Sequence, residues 1–155
     1  MRPIQLRRVT PSDLQVLFAI ESEAQGNAMA VVRPRSETEF MEQWSHDLSN
    51  DEIATRVIVV QDRVAGVVSR FRLDGRDAIG YRVTESLWGQ GIATEAVRLF
   101  LDEILDRPLW ARVASSNKAS IRVLEKCGFG LVQLCESVES LRYPACKEHV
   151  MRLDA

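Results

Sequence analysis

Apolar and polar residues alternate over residues 4–9, the period of a strand with one face buried. Thr10-Pro11 then starts a helix, the hydroxyl at the capping position and proline at the first helical one. Leu14, Leu17, Phe18 and Ile20 form its apolar stripe, which runs to about Glu23. Residues 26–34 carry no such period and read as a loop. Ser36 followed three residues later by Glu39 is a capping box, and Phe40, Trp44 and Leu48 share one face of the helix it opens.

The pattern changes after residue 55. Residues 56–60 and 64–68 are β-branched runs joined through Asp62-Arg63, which predicts a hairpin. Asp74-Gly75 marks another turn, and residues 78–84 supply the next strand. Ile92, Ala96, Leu99, Phe100 and Ile104 give residues 91–105 a helical period, which Pro108 stops. A strand over 109–114, a helix over 116–127 ended by Gly128, and strands over 129–136 and 148–153 complete the chain. The order is β-α-α-β-β-β-α-β-α-β-β. It predicts a single α/β domain spanning residues 1–155, with a mixed central β-sheet and helices on both faces. Strands alternating with helices in the C-terminal half should be parallel neighbours where crossovers permit. Ligands of such sheets sit beyond strand C-termini and near helix N-termini, which singles out residues 84–93 and 114–120.

Composition removes several function classes. The chain has 155 residues, 46% hydrophobic and 27% charged, with a net charge of −2. That is a globular composition without the basic excess that draws a protein to nucleic acid or to a membrane surface. No apolar run has the roughly 20 residues of a membrane-spanning helix, and the start of the chain lacks a secretory apolar core. A cytoplasmic location is expected. Cys127, Cys135 and Cys146 are an odd number without zinc-site spacing, so they read as free thiols, and His46 and His149 imply no metal.

Candidate chemistry concentrates where a strand passes into a helix through Gly89 and Gly91. A helix start leaves its first N–H groups unpaired and partly positive. Glycine lets the backbone bend there and lets phosphate oxygens approach. Gly89, Gln90, Gly91, Ile92 and Ala93 would offer a nest of amides to a diphosphate, while an ordinary tight connection is the plain alternative. No Lys-Ser/Thr follows, so this is not a Walker loop, and the third glycine of a dinucleotide fingerprint is missing.

Residues 88–96, Trp-Gly-Gln-Gly-Ile-Ala-Thr-Glu-Ala, resemble motif A of the GNAT family of N-acetyltransferases. The family pattern is Gln/Arg-x-x-Gly-x-Gly/Ala; Gly91 and Ala93 match its last two positions. Trp88 stands where Gln or Arg is usual, a departure common in the RimJ/RimL-like branch. A second block, Asn-Lys-Ala-Ser-Ile-Arg-Val-Leu-Glu-Lys-Cys-Gly-Phe over 117–129, resembles the family's Asn-x-x-Ser-x-x-Val-Leu-Glu-Lys-x-Gly-Phe segment. The resemblance covers nearly the whole chain. It implies acetyl-coenzyme A as co-substrate, no metal, and a cofactor site of Val83, Trp88, Gly89, Gln90, Gly91, Ile92, Ala93, Thr94, Asn117 and Ser120. In that site the backbone near Val83 would pair with the pantetheine amides and Asn117 would reach the pantetheine arm.

Catalytic roles are less determined. Asn117 also reads as a helix cap, and Ser120 as a first-turn hydroxyl. The resemblance makes Ser120 a candidate to hydrogen-bond the departing thiolate. Many family members place a tyrosine one position before Glu-Lys for that task; here Leu124 holds that position and reads as core. Tyr81 reads as strand packing rather than as its replacement. Glu85, just past the central strand, is the first candidate for general base, with Glu21, Glu23 and His149 as alternatives. Cys127 lies at a helix C-terminus, where the dipole disfavours a thiolate, so direct transfer in a ternary complex is expected instead of an acyl-cysteine.

The expected activity is transfer of acetyl to a primary amine, on a protein N-terminus or a small molecule. Residues 25–34, with Met29, and residues 136–147 should shape the acceptor site. A coenzyme A-binding module without catalysis is the alternative. Residues 129–153 fit either a closed hairpin or pairing with a second subunit, hence a monomer or a homodimer.

Overall fold

The computed structural model describes residues 3–155. Seven strands form one mixed sheet in the order β1-β2-β3-β4-β5-β7-β6. They are β1 (Ile4–Arg8), β2 (Ala54–Val60), β3 (Arg63–Leu73), β4 (Arg76–Val83), β5 (Leu109–Ala114), β6 (Gly130–Glu136) and β7 (Lys147–Leu153). The helices are α1 (Leu14–Glu21), α2 (Ala24–Ala30), α3 (Glu37–Leu48), α4 (Ile92–Glu103) and α5 (Lys118–Lys126). Short 3-10 turns occupy Pro11–Asp13 and Glu85–Leu87.

The continuous apolar run of β2 is explained by burial on both sides. Val57 and Ile58 point to opposite faces and both are fully buried. Val57 packs with Leu14, Leu17, Phe40 and Trp44 of α1 and α3. Ile58 packs on the other face with Val97 and Phe100 of α4 and Leu124 of α5. The capping box forms as expected, Ser36 accepting from the Glu39 amide at 3.1 Å. Both tight hairpins take positive φ at their central residues, Gln61 and Asp62 in one, Asp74 and Gly75 in the other.

The fold differs from the sequence reading in two places. Residues 26–30, expected to be loop, belong to α2. Gly26 and Asn27 are weak helix formers, so propensity hid this turn of chain; both are buried in it. The other difference is in the C-terminal half. β5 and β6 are not neighbours, because β7 inserts between them and pairs antiparallel with both. Residues 130–153 thus form a closed hairpin within the chain, with β6 on the edge. Parallel pairing survives only between β4 and β5, and there at a single point, Ala78 opposite Trp110. Past that point the strands diverge, and each keeps its pairing only on the far side, β4 with β3 and β5 with β7.

Arg7 of β1 grips Asp13 through two nitrogens at 2.8 and 2.9 Å, and the Thr10 amide donates to the same carboxylate at 2.8 Å. These bonds, Arg7 foremost, pull the Asp13 pKa from 3.8 to about 2 against the opposing effect of burial. The folded state therefore favours ionised Asp13. Its contribution is complete above the unfolded value of 3.8 and is lost as pH falls through about 2. Urea denaturation at a series of acidic pH values should show this loss. Asp13→Asn should flatten that limb and cost about 1–3 kcal/mol at neutral pH.

Candidate active site

The divergence of β4 from β5 opens a cleft of about 360 Å³. Its floor is the free edge of β4 at Tyr81, Arg82 and Val83, with α2 on one side and the N-terminal turn of α4 and one face of α5 on the other. Val83, Trp88, Gly89, Gly91, Ile92, Ala93, Thr94, Asn117 and Ser120 all line it. Gln90 and Glu85 do not belong to that lining, and the Gln90 side chain is exposed.

Gly89 and Gly91 both hold φ at +77°, in the left-handed region, and a Cβ on either would meet open space. Glycine is needed there for backbone angle rather than for room, since an L side chain costs about 1–2 kcal/mol in that conformation. The first intrahelical bond of α4 runs from the Glu95 amide to the Gly91 carbonyl at 3.1 Å. The amides of Ile92, Ala93 and Thr94 precede it and point out of the helix start, as an anion requires. Trp88 fixes the loop that presents them: its indole Nε1–H donates to the Val83 carbonyl at 2.8 Å. This bond ties the loop to the strand end and uses one acceptor site of that carbonyl. Two cations missed in the sequence, Arg122 and Lys126, project from successive turns of α5 into the same lining. Their spacing of four was the available signal.

Asn117 is a helix cap that also lines the cleft. Its Oδ1 accepts from the Ser120 amide at 3.2 Å and caps α5, while its side-chain nitrogen bonds nothing among the described residues and borders the cleft. Ser120 is not an isolated hydroxyl. The Tyr81 hydroxyl lies 2.6 Å from its Oγ and 3.1 Å from its carbonyl. Burial pushes the Tyr81 pKa up to about 12, the Ser120 bond countering and the Cys127 thiol adding to the rise. The phenol thus stays protonated. Leu124 is core, almost fully buried. Cys127 is a half-buried thiol, its pKa raised chiefly by burial.

The candidate bases occupy unlike settings. Glu21 is held by Arg35 through Nε and Nη2 at 2.7 and 2.8 Å, and by Arg142 at 3.3 Å. Glu23 accepts from the Thr84 hydroxyl at 2.6 Å and the Glu85 amide at 3.0 Å, capping the 3-10 turn that follows β4. His149 shares a 2.8 Å bond with Ser115 and lies outside the cleft lining. Glu85 keeps Oε2 buried without a partner.

Comparison with known proteins agrees with this architecture. The family model described as Acetyltransferase (GNAT) domain matches residues 4–130. The chain is 28% identical over 133 residues to the SPbeta prophage-derived uncharacterized N-acetyltransferase YokL of Bacillus subtilis, covering 81% of this chain and 75% of that protein. Among solved structures, spermidine N-acetyltransferase from Vibrio cholerae in complex with CoA and spermine superposes with a TM-score of 0.84. It is 17% identical, covering 97% of this chain and 95% of the other. The ribosomal L7/L12 alpha-N-protein acetyltransferase RimL superposes at 0.80 with 20% identity, over 98% and 90% of the two chains. No helix among the described residues is long and apolar enough to cross a membrane. With its family model matched from β1 into β6, its mixed sheet split at β4 and β5, and amides gathered at the start of α4, the chain belongs to the GNAT family of acetyltransferases.

Proposed function

We propose that the protein transfers acetyl from acetyl-coenzyme A directly to a primary amine held in the same cleft. The observation carrying this reading is the open edge of β4, bounded at one end by the helix-start amides and at the other by α2. The residues fit the co-substrate. Gly89, Gly91, Ile92, Ala93 and Thr94 suit its pyrophosphate, with Arg122 and Lys126 adding positive charge. The β4 edge near Val83 and the Asn117 side-chain nitrogen suit the amides of its pantetheine arm, with Trp88 holding the binding loop in shape. Gln90 contributes its backbone only.

The thioester supplies an activated acetyl group. The amine nitrogen bonds to its carbonyl carbon, the carbon–sulfur bond breaks, the nitrogen loses a proton, and sulfur departs with the electron pair. An alkyl thiol has a pKa near 8.5. Tyr81, at about 12, would give up a proton to such a thiolate roughly 3–4 units uphill. We therefore assign Tyr81 a hydrogen-bonding role beside Ser120. Its hydroxyl and Ser120 Oγ share a 2.6 Å hydrogen bond that either oxygen can donate, and with the phenol as donor the serine hydrogen is free to stabilise the departing sulfur. We assign proton removal from the amine to Glu85 through water. Glu21 and Glu23 have their oxygens committed to other groups, whereas Glu85 Oε2 has no hydrogen-bond partner among the described residues.

Titration calorimetry should detect acetyl-coenzyme A binding, and Gly91→Val should weaken it at least about tenfold, since the branched side chain opposes a positive φ and crowds the amides. Binding of nucleotides but not of coenzyme A would defeat the reading. Ser120→Ala should keep that affinity and lower kcat by about ten- to a hundredfold; unchanged turnover removes Ser120 from the mechanism. Glu85→Gln should lower kcat about a hundredfold at neutral pH if Glu85 takes the proton. In a titration followed by phenolate absorbance, Tyr81 should ionise near pH 12. Because the fold favours its neutral form, that share of stability is complete below pH 10 and lost as pH rises through about 12; Tyr81→Phe should abolish the dependence.

A further inference from the structure

The end of the cleft away from the amide nest carries a guanidinium that acetyl transfer does not use. Arg82 lies there beside Gly26, Met29 and Ala30 of α2. Its Nη1 donates to Asn27 Oδ1 at 3.1 Å and to the Glu21 backbone carbonyl at 3.3 Å. Both acceptors are neutral. Its Nε and Nη2 have no hydrogen-bond partner among the described residues, and the residue lines the cleft.

The position is built rather than incidental. Asn27, which orients the guanidinium, is itself only 7% exposed. A Cβ on Gly26 would lie 2.9 Å from Arg82 Nη1, so a side chain at that position would require the guanidinium to shift. The carboxylates nearby are committed elsewhere, Glu21 to Arg35 and Arg142, Glu23 to Thr84 and Glu85. Arg35 and Arg142 form ion pairs with Glu21, whereas Arg82 forms none among the described residues. Burial is the main influence lowering the Arg82 pKa. Glu21 opposes it, Arg142 reinforces it, and Glu23 opposes it further. Arginine nevertheless remains charged. A partly desolvated cation with open donors is costly to maintain and suits the paired oxygens of an anion.

We propose that Arg82 receives a carboxylate or phosphate borne by the acceptor itself, so that the substrate is a small amine carrying an acidic group. This rests on the acetyl-transfer reading above. A polyamine would instead bring another ammonium against the guanidinium, where like charges repel. Met29 and Ala30 give the remainder of the acceptor an apolar wall.

The test measures thiol release by the full-length protein with matched acceptors: phenylalanine against phenylalaninamide, phosphoethanolamine against ethanolamine, and spermidine. The amide has the less basic amine, so the first pair is weighted against the proposal. The acidic member of at least one pair should show a kcat/KM higher by about ten- to a hundredfold, mostly through KM. The pair that shows it identifies the anion as carboxylate or phosphate. Arg82→Gln should reduce that preference to within about threefold while acetyl-coenzyme A affinity is kept, and Arg82→Lys, which retains the charge without the fork, should keep part of it. Equal or better turnover of the neutral members or of spermidine overturns the proposal, as does a preference that survives in Arg82→Gln. The wild-type ratios decide the matter even if that variant does not fold. Silence with every acceptor, despite acetyl-coenzyme A binding, would overturn the acetyl-transfer reading along with this one.

Discussion

Everything at the active site depends on β4 and β5 pairing at one point and then separating. The contact of Ala78 with Trp110 is held where Trp110 lies against two cations, Arg76 at 3.9 Å from the ring centroid and Arg152 at 5.3 Å. One end of the seam is thereby clamped by side chains from β4 and β7. At the other end β4 has backbone groups with no strand beside them. In a closed sheet these groups would be consumed by the ladder, and the cleft would be filled. Here they remain available to an extended ligand, which can take the place of a strand.

The same separation gives the two faces of β4 different tasks. Tyr81 and Val83 point toward α4 and α5, and Arg82 points toward α2. One strand therefore delivers a neutral hydroxyl to Ser120 on one side and a cation to the end bounded by α2 on the other. Glu23 sets the end of that strand. By capping the turn after Thr84 it draws the start of α2 onto β4, so its carboxylate holds the walls of the cleft together. The three carboxylates, among which the sequence puts Glu85 first, differ in their hydrogen bonds: Glu21 is held by Arg35 and Arg142, Glu23 by Thr84 and the Glu85 amide, and Glu85 Oε2 has no partner among the described residues.

Trp88 illustrates how a departure from a family pattern is absorbed. The amides of the loop would bind phosphate whatever stands at that position, provided the loop keeps its shape. A tryptophan donating to the Val83 carbonyl supplies that shape from within the chain. The sequence made its presence in the glycine loop visible, but not the carbonyl it seeks.

The sequence by itself determined the strands and most helices, because their signals repeat over short stretches. Alternation gave β1, an unbroken β-branched run gave β2, the capping box gave the start of α3, and glycines followed by apolar periodicity gave the start of α4. It also supplied the glycine loop proposed to bind the pyrophosphate, whose signal is local to residues 88–94. Only the tertiary structure decided the insertion of β7 between β5 and β6, the helical state of α2, the meeting of Tyr81 with Ser120, and the place of Arg82. The first rests on the ladders of β7 with β5 and β6, and the others on contacts between residues 39, 55 and 61 positions apart: Tyr81 with Ser120, Arg82 with Asn27, and Thr84 with Glu23. No local propensity encodes such pairs. They exist because two elements of the chain are packed together, and packing is a property of the whole sheet.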